Sequence, residues 1–156
     1  MSALGPFSID MYLPSFPAIA EDLNTNISKV SLTLSSYFIG ISVGQLIYGP
    51  IIDRYGRIKP LIIGLFIFVA SSIGCALSPD IYSLIGMRLF LALGGCVGMV
   101  ASRAIIRDRF DDDDIAKAYS SLILVMGVAP IIAPRVGGFI SSNFGWKYIF
   151  YILALI

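Results

Sequence analysis

YGPIIDRYGRIKP, residues 48–60, places Asp53, Arg54, Arg57 and Lys59 within seven positions, between two long apolar runs. Glycines stand at Gly49 and Gly56. The stretch reads as a short polar loop joining two membrane-spanning helices. A span needs about 20 mainly apolar residues to cross the hydrocarbon core. Six runs approach that length, at about 2–20, 30–50, 61–78, 82–104, 118–141 and 147–156. The sixth stops after roughly half a crossing, so a truncated last helix is expected. The whole chain, 1–156, reads as one transmembrane unit, an all-α membrane bundle.

Composition supports lipid as the solvent. Of 156 residues, 57% are hydrophobic and 13% charged, against about 45–50% and about 25% in soluble domains. Mean hydropathy is +0.87. A net charge of +1 gives no electrostatic case for nucleic acid. There is no His, and Cys75 and Cys96 lie inside apolar runs, so neither a metal centre nor a disulfide framework is expected. No basic region precedes the first apolar run, so a cleaved signal peptide is not expected.

Basic residues set the expected orientation, because positive charge is retained on the cytoplasmic side. Arg54, Arg57 and Lys59 follow the second run, and Arg103, Arg107, Arg109 and Lys117 lie between the fourth and fifth. The opposite loops offer Lys29 and Lys147. The N-terminus is therefore expected in the cytoplasm. The acids Asp111 to Asp114 are expected to favour the start of the fifth helix, one of them as a cap.

Topology explains the bases of the opening stretch but leaves Asp53. An acid at the end of a span needs a partner, and Arg54 and Arg57 are near enough in sequence to supply one. Gly49 would let a neighbouring backbone approach, and Gly56 would permit the sharp reversal.

GPIIDRYGRIKP resembles the signature loop between helices 2 and 3 of the major facilitator superfamily. Gly49, Asp53, Arg54, Gly56 and Arg57 match it; Ile58 departs, with Lys59 supplying the next base. The resemblance implies a conformational latch. Three further stretches agree: SIDMYLPSFPAIAEDL in the first run, GMRLFLALGGCVG in the fourth and GVAPIIAPRVGG in the fifth. Together they are most similar to drug/proton antiporters of the Bcr/CflA type, with Leu91 and Arg135 as departures. That resemblance implies the N-terminal six-helix half of a transporter in the bacterial inner membrane. It implies exchange of small drug-like compounds for protons, no cofactor, and a C-terminal six-helix half as partner. A half-length chain alone is expected to be inactive. A metabolite exporter, of amino acids or sugars, is the alternative, as is a non-transporting membrane subunit. No nucleophile, base and oxyanion arrangement suggests an enzyme.

Asp10 is the sharpest candidate. An ionisable side chain inside a span costs about 2.5–3.5 kcal/mol on insertion scales and marks function by default. It is expected to carry the proton. Arg88, at a depth differing by roughly 6 Å at 1.5 Å per residue, is expected to pair with it. Pro14 and Pro17 remove hydrogen bonds in the outer half of the first helix and should kink it, and Pro130 and Pro134, with Gly127, Gly137 and Gly138, should do the same for the fifth. The small-residue pairs Gly40/Gly44 and Gly94/Gly98 predict close helix packing. Tyr12, Phe16, Tyr37, Phe38 and Gln45 are expected around a substrate cavity, and Arg135 to reach outward along the membrane surface.

Overall fold

The computed structural model describes residues 4–109 and 112–155, with side chains described over 5–108 and 115–155. The expected cap from Asp111 to Asp114 therefore lies outside the described side chains, as do the extreme ends of the first and sixth runs.

The first run forms two short helices, α1 (Leu4–Asp10) and α2 (Phe16–Asp22), joined by a 3-10 turn at Leu13–Ser15. The others form α3 (Ile27–Tyr55), α4 (Ile58–Ala76), α5 (Ile81–Arg109), α6 (Asp112–Asn143) and α7 (Lys147–Leu155). No strand occurs among the described residues. The four from α3 to α6 are long and apolar enough to cross a membrane. At 29 residues, α3 and α5 extend about 44 Å, beyond a hydrocarbon core of about 30 Å. Their polar ends therefore continue as helix outside the apolar layer.

Proline chemistry breaks the first span. Pro14 and Pro17 lack the N–H that would return to Asp10 and Leu13. The chain instead closes tighter turns, with Tyr12 N–H donating to Ile9 (3.2 Å) and Ser15 N–H to Tyr12 (3.0 Å). Pro130 and Pro134 act differently. They sit inside α6, which continues as helix through both. Gly56 (φ +79°) forms the reversal between α3 and α4, a backbone region that glycine alone enters freely.

The fourth span, α5, lies at the centre, with its most extensive contacts to α3 and α4. Small residues permit this. A Cβ on Gly94 would lie 2.5 Å from the Phe68 amide nitrogen and 2.7 Å from the Gly64 carbonyl. One on Gly40 would meet the Leu89 carbonyl at 2.7 Å. Gly94→Val is therefore expected to separate α4 from α5 and destabilise the bundle by about 3 kcal/mol or more, read as a lower unfolding temperature in micelles. Gly86→Val, where a Cβ meets nothing within 4 Å, should change it far less.

Polarity is inverted relative to a soluble core. Leu46, Phe66, Ile131 and Phe139 point outward, each more than 60% exposed, while Arg88, Ser8 and Thr33 are fully enclosed. Cys75 and Cys96 are buried and unbridged.

Candidate functional site

Arg88 is the largest fully buried side chain, with 0% exposure. It projects from α5 into the concave side of the broken first span. One guanidinium nitrogen, Nη1, donates to the Ser8 carbonyl at 3.0 Å. The guanidinium carbon lies 3.6 Å from the centre of the Tyr12 ring, 5.1 Å from that of Phe150 and 5.3 Å from that of Tyr37. Aromatic faces carry negative charge density and attract a cation by about 2 kcal/mol or more once water is excluded. Nε and Nη2 have no partner among the described protein groups, nor do the Ser8 and Ser15 hydroxyls.

Hydroxyl chemistry holds the ring against the cation. Thr33 Oγ1 donates its one proton to the Val30 carbonyl at 2.5 Å. Its contact with the Tyr12 hydroxyl, 2.9 Å, therefore has Tyr12 as donor. Phe16 meets the Tyr12 ring edge-on at 5.2 Å. The Tyr37 hydroxyl reaches the Gly5 carbonyl at 3.5 Å. Three spans thus converge on one charge.

The expected ion pair between Asp10 and Arg88 is absent among the described residues. Depth was judged well enough, but direction was not. Ser8 and Asp10 lie about 200° apart around a helix at 100° per residue. An arginine bound at the Ser8 face cannot also meet the Asp10 carboxylate. Asp10 is half-buried on another side of α1. Tyr12 and Tyr37, expected around a substrate cavity, are both fully buried against Arg88. Phe16 is half-buried, while Phe38, Gln45 and Arg135 are exposed.

The loop between α3 and α4 departs from expectation as well. Arg57 forms an ion pair with Asp108 near the end of α5, and Arg54 lies over the Tyr55 ring at 5.7 Å. Asp53 is exposed and makes no ion pair among the described residues. It borders a hollow of about 650 Å³ with Ile52, Gly56, Arg57, Ile58, Ile105 and Asp108. Gly49 faces open space, where a Cβ would meet nothing within 4 Å, so no backbone approaches it here. Asp108 was missed by sequence reasoning; its only signal was an acid at the same end of the bundle as Arg57.

In the fifth span, Gly137 packs directly on the Met11 backbone, at the break in the first. Gly127 meets open space, and Gly138 has only Pro14 nearby, at 3.7 Å from an added Cβ. At the opposite end of the bundle, Trp146 Nε1 donates to Asp22 at 3.1 Å, and Lys147 stands 3.6 Å from the same carboxylate.

Apolar helices turned outward around a buried guanidinium define a multi-pass membrane protein whose interior is charged. The model of the Major Facilitator Superfamily matches residues 1–156, and the chain belongs to that family. An uncharacterized MFS-type transporter, YdgK, of Bacillus subtilis (strain 168) is 45% identical over the whole of this chain and 39% of its own length. A bicyclomycin resistance protein homolog of Haemophilus influenzae is 35% identical, with the same coverage of both chains. A chloramphenicol resistance protein of Pseudomonas aeruginosa is 33% identical over 97% of this chain and 36% of its own. The chain thus spans about two fifths of the length of these curated relatives. It has the fold of the N-terminal helical bundle of the superfamily.

Proposed function

We propose that this chain is the N-terminal six-helix half of a transporter that exports small drug-like compounds in exchange for protons. The observation that carries the reading is Arg88, a fully buried charge held between three spans of a bundle that otherwise faces lipid. Intramembrane charge is costly and marks a transport pathway by default. The drug-resistance names of two relatives supply the substrate class. Expressing the whole protein in a drug-sensitive bacterium tests it. Resistance to chloramphenicol or bicyclomycin should rise several-fold, and unchanged susceptibility to a panel of such drugs would contradict the reading.

Asp10 is assigned the proton. Protonated, its side chain is neutral and suits the apolar layer; ionised, it carries a charge that is costly there, so taking up and releasing one proton separates two states of the carrier. The loop from Gly49 to Arg57 is assigned a latch, closed against the C-terminal half in one conformation and open in another. The breaks at Pro14 and Pro17, and the Gly137 contact with Met11, would let the first and fifth spans shift against each other. The partner is a C-terminal six-helix half, and substrate passes between the two halves.

The basic residues around α3, α4 and α5 favour an inner-membrane protein with its N-terminus in the cytoplasm. Thr25→Cys should then react with a membrane-impermeant thiol reagent added to intact cells, and Lys59→Cys should not. Cys75 and Cys96 are buried and add little background. Reversed labelling would invert the orientation.

A further inference from the structure

The basic end of the bundle holds a second feature, on its lipid-facing side. Between α3 and α4 runs an open groove of about 350 Å³ lined by Ile47, Tyr48, Tyr55, Lys59 and Ile63, with buried Pro60 at its base. Its wall is hydrocarbon, and Ile47 and Ile63 are about half exposed. Its mouth is polar. Lys59 is exposed and makes no ion pair among the described residues. Arg54 lies over the ring of Tyr55, which forms one lip of the groove. Arg54 likewise makes no ion pair among the described residues. Asp53 and Asp108 border the separate hollow described above, and Asp108 is taken by Arg57.

An apolar trough ending in tyrosines and two cations, where helices leave the hydrocarbon layer, has the polarity sequence of a lipid. Tyrosine rings settle at the headgroup level, and basic residues there attract anionic headgroups. We propose that this groove binds one anionic phospholipid. An acyl chain lies along Ile47 and Ile63, the glycerol region meets Tyr48 and Tyr55, and the phosphate is bridged by Lys59 and Arg54. A water-soluble anion would gain nothing from the apolar wall. A zwitterionic lipid would bring a second positive charge to the same rim. The proposal shares Arg54 with the latch reading, but its test reads lipid retention alone and does not depend on transport.

Native mass spectrometry of the purified chain, released from neutral detergent, tests it. Phosphatidylglycerol and phosphatidylcholine with identical acyl chains are supplied in equal amounts. The wild-type chain should retain phosphatidylglycerol with about a thirtyfold preference, the scale set by two interfacial cations. The double variant Arg54→Gln/Lys59→Gln should retain both lipids equally. Lys29→Gln, at the opposite end, should keep the preference. Ile63→Trp, which fills the trough, should reduce retention of both lipids. Circular dichroism confirms that each variant remains helical, and the conservative Lys59→Arg should restore the preference if Lys59→Gln alone removes it. Equal retention by the wild-type chain would overturn the proposal. So would a preference unchanged in the double variant, or one lost equally in Lys29→Gln. A dimer abolished by Ile63→Trp would make a second copy of the chain the occupant and overturn it too.

Discussion

Asp10→Asn should abolish proton-driven export while leaving substrate exchange. Asparagine imitates the protonated acid permanently. The protein containing this change should still bind drug and swap labelled for unlabelled drug across a membrane. It should build no concentration gradient, because no proton is taken up in each cycle. Everted vesicles separate the two activities: exchange at equal concentrations should persist near the wild-type rate, and uptake driven by an imposed proton gradient should fall to background. Asp10→Glu, which keeps a titratable group at the site, should retain part of the driven uptake. Driven uptake by Asp10→Asn at the wild-type level would remove Asp10 from the coupling role.

The second large effect concerns the aromatic contact on Arg88. Tyr12→Leu removes the ring 3.6 Å from the guanidinium and leaves a buried charge with one carbonyl partner and the more distant Phe150 and Tyr37 rings. The lost cation–π attraction is about 2 kcal/mol, and the smaller side chain leaves space that the core does not fully close. A loss of about 3 kcal/mol in unfolding free energy is expected for the chain in micelles. Tyr12→Phe should cost about 1 kcal/mol, the net value of one hydrogen bond. Thr33 still gives its proton to Val30 in that variant, so no buried donor is stranded. Equal losses in the two variants would show that the hydroxyl, and not the ring face, is what holds Arg88.

The spans were legible because lipid imposes a simple demand, about 20 apolar residues in a row. Their true ends were not. Hydropathy reports only the part of a helix inside the apolar layer. In α3 the helix runs on through Asp53 and Arg54 to Tyr55, since backbone hydrogen bonds continue regardless of side-chain polarity. Pro14 and Pro17 marked where the first span departs from a regular helix, but a kink was expected there and the helix divides in two. Pro130 and Pro134 lie inside a continuous α6, because a missing N–H can be tolerated where neighbouring packing holds the helix.

Within the site, residue identity was readable and direction was not. Arg88 stood out as a base in an apolar run, yet its partners depended on how α1 turns before it breaks. Ser8 contributes only its carbonyl, which no side-chain pattern reveals. Tyr12 and Tyr37 were readable as aromatic residues of the site, but their contact with the Arg88 cation was not, because aromatic residues serve both as cavity walls and as cation seats. Similarly, the Arg57–Asp108 pair joins residues 51 positions apart. The nearer Asp53 was the natural expectation until α5 was seen to end beside the loop.

The claim at the centre of this account is that the charged interior of the bundle serves proton-coupled drug movement. The most direct test is chloramphenicol uptake into everted vesicles made from cells expressing the whole protein, with ATP absent and the proton gradient imposed by a pH jump. Uptake should follow the size of the jump, stop when a protonophore collapses it, and disappear in Asp10→Asn. Uptake that continues undiminished after the gradient is collapsed would contradict the account.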